Sequence, residues 1–409
     1  MNTCTETVQN GIARFHCGVT TLSANDSDDA TFWAQMGAVA GDQDLAFVTL
    51  FFSCTSFNAE RIRSRMEAAC PNVKYAACST AGEITQHGMT EGGLVALLFP
   101  SETFRMDALA LSDIKNCGMD EIVDNVKAAR RAFVAQKAAS PWKGESGDGK
   151  DANNDLFALC LIDGMSFAEE AVTAGLYWAL DDIPLIGGSA GDDLRLSDTV
   201  LMLNGEVFTE SAILILAETK VPFSVFKTDN FIPTDDKLVV THADPDQRLV
   251  YEFNAAPAAQ EYARAIGIDP ENLSPLSFAS YPLVVRTNGE YYCRSIQKAN
   301  EDGSLSFFCA IDNGIVMTIA EQRGMSRTTR QAFDEVRSDL GAIDFVLGFD
   351  CILRRIDARN RQVTQKIAAL YAENNVIGFN TYGEQYISMH LNQTFTGIAF
   401  GRVRGHVSS

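Results

Sequence analysis

The chain alternates between short, solidly apolar runs and stretches with helical spacing, and it does so three times in the same order. "DLAFVTLFFS" (44–53) is apolar at nearly every position, as in a strand buried on both faces. "SFNAERIRSRMEAAC" follows, with Ala59, Ile62, Met66 and Ala69 spaced for one helix face. Pro71 ends that helix, "VKYAAC" reads as a second strand, and "CSTAGEI" (78–84) turns the chain. A polar loop then leads to a closing strand, "GLVALLFP".

The same order returns from Asp155. "DLFALCLID" predicts a strand, "SFAEEAVTAGLYWAL" a helix, "PLIGGSAGDD" a strand and turn, and "SAILILAE" the closing strand. It returns again from Ala342. "AIDFVLGFDCILRR" predicts a strand region continued by Cys351 and Leu353, and "RQVTQKIAALYAEN" a helix. "NVIGFNTYGEQY" then gives a strand and turn, and "FTGIAFGRV" the last strand. The turns align as Thr80-Ala81-Gly82-Glu83, Ser189-Ala190-Gly191-Asp192 and Thr381-Tyr382-Gly383-Glu384: hydroxyl, any residue, glycine, acid. A fourth match, Thr287-Asn288-Gly289-Glu290, reads better as a hairpin, because Asn-Gly between apolar strands favours a two-residue turn.

Repetition of this kind implies internal duplication, each unit burying its apolar face on the others. Between about 221 and 320 the pattern becomes strand-rich, interrupted by the helical "AAPAAQEYARAIG". The expected fold class is α/β (α+β), two modules of duplicated strand–helix–strand–turn–strand units with mixed sheets. The modules are placed at 25–220 and 221–405, after an N-terminal extension, 1–24. Residues 139–154, "ASPWKGESGDGKDANN", carry no apolar period and are expected to be a mobile insertion.

Charge narrows the partners. With 33 basic against 53 acidic residues the net charge is −20, a surface that repels phosphate backbones and anionic lipids. Neither nucleic acid nor membrane is expected to be a partner. The longest apolar runs are too short to span a bilayer, and the first residues do not read as a signal peptide. Ten cysteines lie scattered with no C-x-x-C pair, which fits reduced, apolar cysteines in a cytoplasmic protein.

Each turn admits three readings. Gly187-Gly188-Ser189-Ala190-Gly191 matches the G-x-S-x-G elbow of serine hydrolases, but the helix that should follow is replaced by "DDLRLSDTV". A tight bend held by its own hydroxyl and acid explains any single copy. A ligand loop explains the set best, because equivalent turns sit at equivalent strand ends, where ligands gather in α/β units. On that reading Ser79, Thr80, Gly82, Glu83, Ser189, Gly191, Asp192, Thr381, Tyr382, Glu384 and Asn392 line a shared small-molecule pocket.

"CSTAGEI", "GGSAGDDL", "YEFNAAPAAQEYARAIG", "PLVVRTNGEYYCRSI" and "GFNTYGEQY…HLNQTFTGIAFG" together resemble the FIST domain family, amino- and carboxy-terminal modules both, over nearly the whole chain beyond residue 25. "NTYGE" with "NQT" (392–394) is the most specific part. The resemblance implies a sensory input module without catalysis of its own. It also implies a partner such as a histidine kinase of a two-component system or a cyclic-di-GMP signalling protein. No kinase, cyclase or methyl-accepting segment is visible, so this chain resembles the stand-alone members, some of which look like haem proteins sensing nitric oxide.

Haem needs an axial ligand such as His, Cys, Met or Tyr. Among His16, His87, His242, His390 and His406, His390 is the best placed, beside the third turn. Cys70-Pro71 also fits a thiolate ligand, although the proline already explains a helix end. Arg294 stands where the family motif has an arginine beside aromatics and would pair a ligand carboxylate. The alternatives carried forward are an amino-acid or metabolite sensor, a hydrolase using Ser189, and a pure interaction scaffold.

Overall fold

A computed structural model describes residues 6–9, 11–25, 29–137, 155–287 and 289–402. The stretch 139–154, expected to be mobile, and His406 lie outside the described residues. The fold is mixed α/β, with about 29% helix and 39% strand in several mixed sheets.

All three repeats form, and each is longer than the sequence pattern showed. Unit one runs from an opening strand, Thr20–Ala24, through helix Ala30–Asp42 to strand Leu45–Phe52, helix Ala59–Ala69 and strand Tyr75–Ser79. A hairpin, Glu83–Thr85 with Gly88–Thr90, replaces the expected polar loop before the closing strand Leu94–Pro100. Unit two repeats this with opening strand Phe104–Leu111, helix Met119–Lys137, strand Leu156–Ile162, helix Glu169–Leu180 and strand Leu185–Ser189. Its hairpin is Leu201–Leu203 with Glu206–Phe208, and its closing strand Ala212–Thr219. Unit three opens with Phe223–Asp229 and resumes at helix Met325–Leu340 and strand Phe345–Cys351. Helices Ile352–Asn360 and Thr364–Glu373, strand Val376–Thr381, hairpin Glu384–Tyr386 with Met389–Leu391 and closing strand Thr394–Phe400 complete it.

One expectation needs correction. The strand through Leu353 stops at Cys351, and Ile352–Asn360 is helical. Helical spacing brings Arg354 Nε to 2.7 Å from Asp350 Oδ1, which lets both charges be buried as a pair. The alternative strand course would separate them. The Thr287–Glu290 hairpin is observed, those two residues pairing across antiparallel strands, while Asn288 lies outside the described residues.

In each unit the two central strands are parallel and the closing strand pairs antiparallel to the first of them. The hairpin leaves its own unit. Glu83–Thr85 adds to strand Val376–Thr381 of unit three, Glu384–Tyr386 to Leu185–Ser189 of unit two, and Leu201–Leu203 to Tyr75–Ser79 of unit one. The three sheets therefore share one strand order: opening, closing, first central, second central, then a hairpin received from another unit. The first sheet is extended further by Glu6–Gln9 and Ile12–Arg14.

Alternation along the strands splits the apolar residues between two layers. Phe47 and Phe51 face a core shared by all units, while Val48, Leu50 and Phe52 face the helices of unit one. The shared core joins the units by aromatic contact: Phe51 meets Phe379 at 4.6 Å between centroids, and Phe157 and Phe104 meet Phe400 at 5.7 and 5.6 Å.

Between Asp229 and Met325, unit three carries an inserted sheet built on Phe231–Asp244, Leu249–Phe253, Leu283–Thr287, Glu290–Arg294, Leu305–Phe307 and Val316–Gln322. Its two connections to the body run side by side, with Arg323 N–H donating to Asn230 O at 2.5 Å. Asn230 Oδ1 is held in turn by the buried Arg354 at 2.9 Å.

Candidate functional site

The three turns interlock. Ala81 N–H donates to Asn380 O at 3.0 Å, Tyr382 N–H to Ser189 O at 3.1 Å, and Gly191 N–H to Ser79 O at 3.1 Å. A return set follows: Asn380 N–H to Gly82 O, Ser189 N–H to Gly383 O, and Ser79 N–H to Val200 O, at 2.7, 2.8 and 2.8 Å. These bonds fix which residues are equivalent, and they correct the alignment made from the words alone. Gly191 occupies the place of Ala81 and Tyr382, and Val200 the place of Gly82 and Gly383. Leu201, paired with Cys78, stands where Glu83 pairs Phe379 and Glu384 pairs Gly188. Asp192–Thr199 is thus a loop inserted into the second turn alone. Small residues are needed wherever three turns crowd together, and that shared need made "SAGD" look like "TAGE".

In the first and third turns the acid fastens its hairpin to the closing strand. Glu83 accepts from Thr80 Oγ1 at 2.7 Å and Gly93 N–H at 2.8 Å. Glu384 accepts from Thr381 Oγ1, and from Thr394 N–H and Oγ1 at 3.3 and 2.6 Å. Both side chains are wholly buried, and burial pushes their pKa up, to about 7 for Glu83 and about 8 for Glu384. Ser79 Oγ accepts from Val200 N–H, and Ser189 Oγ from Gln385 Nε2, both at 2.9 Å. Ser189 is buried beside an amide rather than a base.

Asp192 organises the inserted loop. Its carboxylate accepts from the backbone N–H of Leu196, Ser197 and Asp198 at 2.9, 2.7 and 3.1 Å, and from the Tyr382 phenol. Burial would raise its pKa, but the Tyr382 and backbone bonds outweigh it and hold the group below the usual carboxylate range. Tyr382 Oη also accepts from Leu194 N–H at 2.8 Å. So held, Asp193, Leu194 and Leu196 adopt left-handed backbone, and both leucines point toward solvent. Asp193 ties the loop to unit one through Ser53 Oγ at 2.7 Å.

Beside this loop lies a shallow depression with a cavity volume of about 10 Å³, the space of a water molecule. Unit two supplies Gly164, Met165, Phe167, Glu169 and Leu196, the third turn supplies Tyr382, and the inserted sheet supplies Arg248, Gln297, Phe307 and Phe308. Arg248 is its most constrained member. Its Nη2 lies 2.6 Å from Glu169 and 2.8 Å from Glu170, and Nη1 donates to Phe308 O at 2.6 Å. Its Nε is buried without a protein partner. The guanidinium sits 4.8 Å from the ring centroid of Phe167, a side chain 51% exposed. Phe167 and Arg248 both hold positive φ, 58° and 55°.

The sequence-predicted residues divide around this concavity. Tyr382 lines it, Asp192 holds the backbone of Leu196 at its edge, and Ser189 and Gly191 are bonded within the turn cluster, to Gln385 and Ser79. Ser79, Thr80, Gly82 and Glu83 do not line it; they bond within the turn cluster, Ser79 to Gly191, Thr80 to Glu83 and Gly82 to Asn380. Thr381 and Glu384 form the hairpin fastening, and Asn392 donates to Tyr382 O at 3.4 Å, leaving its Oδ1 buried and unpartnered. Arg294 is half-buried on the inserted sheet, its Nη1 3.4 Å from His390 O.

His390 is buried, with Nδ1 3.1 Å from Gln385 Nε2, and burial lowers its pKa to about 4. A Cβ on Gly383 would lie 2.2 Å from its Cε1 and 2.8 Å from its Nε2, so the third turn closes off the ring edge. This packing does not fit a haem on His390. His16, His87 and His242 are exposed, and Cys70 ends the helix Ala59–Ala69.

Sequence reasoning missed Arg248, Phe167, Glu169, Leu196 and Phe308. The only signal for Phe167 was its place in "SFAEE", whose counterpart Phe57 in "SFNAE" is buried. The others come together only through the inserted sheet.

The FIST N domain model matches residues 46–256, and the FIST C domain model residues 258–387. The chain belongs to the FIST family. FIST domains are sensory ligand-binding modules. Among curated relatives, an uncharacterized protein of Methanocaldococcus jannaschii, MJ1623, is 23% identical over 262 residues, 53% of this chain and 49% of the relative. The match thus spans about half the length of that relative. A crystal structure of chorismatase aligns over 87% of this FIST protein and 92% of its own chain, at 9% identity and a TM-score of 0.33. That likeness carries no functional argument. No helix among the described residues is long and apolar enough to cross a membrane.

Proposed function

We propose that this FIST protein is a non-catalytic sensor that binds a small molecule in the concavity between unit two and the inserted sheet. The observation behind this reading is that two of the departures from the threefold repeat border one space. The loop Asp192–Thr199 contributes Leu196, and the sheet inserted after Asp229 contributes Arg248, Gln297 and Phe308. Binding residues are commonly carried on loops and insertions positioned by a rigid scaffold. The family's sensory, ligand-binding character supports the same assignment.

A ligand here would touch both the body and the insert, whose connections run through Asn230 and Arg323. A molecule that prefers one placement of the insert shifts the equilibrium between placements, and a signalling partner reads the result. In this proposal the partner is a cytoplasmic histidine kinase or cyclic-di-GMP protein. The haem and nitric-oxide version finds no support in the surroundings of His390; an absorbance spectrum after haem reconstitution tests it directly.

The deciding experiment is a thermal-shift screen of small metabolites on the wild-type protein and Phe167→Ala. One compound should raise the midpoint of the wild type in step with RT ln(1 + [L]/Kd), and the rise should vanish in the variant. Absence of any responding compound, or an equal rise in both proteins, would remove the site.

A further inference from the structure

The seam between the inserted sheet and the body differs in chemistry from the cores on either side of it. The insert packs around its own apolar cluster, which includes Leu238, Val250, Phe253 and Met317. The repeats share theirs through residues such as Phe51, Phe157 and Phe349. Among the described residues, Phe308 is the insert side chain that joins an apolar cluster of the body, packing on the group that holds Tyr382, Ile352 and Leu353.

The rest of the seam is largely polar. Arg248 Nη2 reaches Glu169 and Glu170 at 2.6 and 2.8 Å, and Ala310 N–H donates to Glu170 at 3.1 Å. Arg294 Nη1 donates to His390 O at 3.4 Å, and Gln393 Nε2 to Phe278 O at 3.3 Å. Two polar atoms are left over. Arg248 Nε and His390 Nε2 are buried without a protein partner, the imidazole within the field of Glu170, Arg248 and Arg294. Unpaired polar atoms and buried charges oppose closure, because water satisfies them as soon as the seam parts. Two joined parts are held rigid when their interface is large and apolar, and this one is neither broadly apolar nor fully paired.

The chain crosses the seam side by side at Asn230 and Arg323, bonded to each other. The insert can turn on that pair without unpacking its own core. With the seam shut, the depression beside Arg248 has room for one water.

Resting on the sensor reading of this depression, we propose that the structure is the closed state of a two-state device. The insert turns about Asn230 and Arg323, and the ion pairs of Arg248 with Glu169 and Glu170 are the latch whose release opens the site to its ligand.

Cys309 is a native probe of this motion. It is fully buried on the insert, with Arg248, Glu169 and Glu170 close enough to act on its thiol. Cys78 and Cys160, fully buried in central strands of units one and two, report unfolding of the body, and buried Cys293 reports unfolding of the insert itself. The intact protein is labelled with N-ethylmaleimide under native conditions, and each site is followed by peptide mass spectrometry. Cys309 should react at least about tenfold faster than Cys78, Cys160 and Cys293, as expected of a sub-global opening. Arg248→Met should speed Cys309 further and selectively; if that variant fails to fold, Glu170→Gln, at a half-exposed partner of the latch, should do the same to a smaller degree. Cys309 labelling in step with Cys78 and Cys160 in every protein overturns the latch. Equal acceleration of Cys293 and Cys309 overturns the turning motion, since the insert would then be unfolding. Either failure leaves the sensor site to the metabolite screen, which can still find a ligand for a rigid site.

Discussion

The phenol of Tyr382, in the third turn, donates to the carboxylate of Asp192, in the loop inserted into the second. Through that contact one repeat holds the conformation of another repeat's only irregular turn. Tyr382→Phe removes the donor to Asp192 and the acceptor of Leu194 N–H together. A loss of about 1–3 kcal/mol is expected in denaturant unfolding, and hydrogen exchange should quicken at Leu194–Asp198. Unchanged exchange there would mean that the loop is held by other contacts.

The loop itself can be removed. Replacing Asp192–Val200 by one glycine gives the second turn the length of the first and third. Because those turns connect directly, the protein should fold with little change in midpoint, and the response to ligand should disappear. A fully responsive shortened protein would place the sensing elsewhere.

Buried Glu83 and Glu384 make stability depend on pH. Their folded pKa values, about 7 and about 8, lie above the ordinary 4.5, so the folded state keeps protons that the unfolded state releases. Their effect favours folding most below pH 4.5 and declines as pH rises to about 8, by on the order of a few kcal/mol. Glu384→Gln, neutral throughout, should flatten much of the slope in melts between pH 5 and 9. A slope unchanged in that variant would assign the titration to other groups.

Arg248 and Glu169 are each 3% exposed at the side chain; removing Arg248 leaves Glu169 buried without its cation, whereas removing Glu169 leaves Arg248 with Glu170 at 2.8 Å. Arg248→Met should cost about 3–5 kcal/mol and Glu169→Gln less, and the double variant much less than their sum. Additive losses would show that the two do not act as a pair.

The sequence made some of this legible and hid the rest for physical reasons. Strands such as Leu45–Phe52 and Leu156–Ile162 were readable because both of their faces are buried, which leaves at most one polar position, Thr49 in the first, to blur them. The three turns were found because crowding demands small residues in each. Their register was not, since "SAGD" mimics "TAGE" while only the bond from Gly191 to Ser79 reveals the slip. The helix at Ile352 was read as strand because its burial by Arg354 depends on Asp350 and Asn230, a partnership invisible to apolar spacing. The concavity was hidden most completely, because Phe167 and Arg248 are 81 positions apart and meet only after the inserted sheet folds down.

The circular handover of hairpins has a consequence for how the molecule can be divided. A fragment ending near residue 220 would carry Glu83–Thr90 with no strand to receive it, and strand Leu185–Ser189 with no hairpin to cover it. Each cut made between repeats leaves one donor stranded and one acceptor bare, so halves of this protein should clump alone and recover only when mixed. The chain is in effect a ring of three clasps, closed by its last segment.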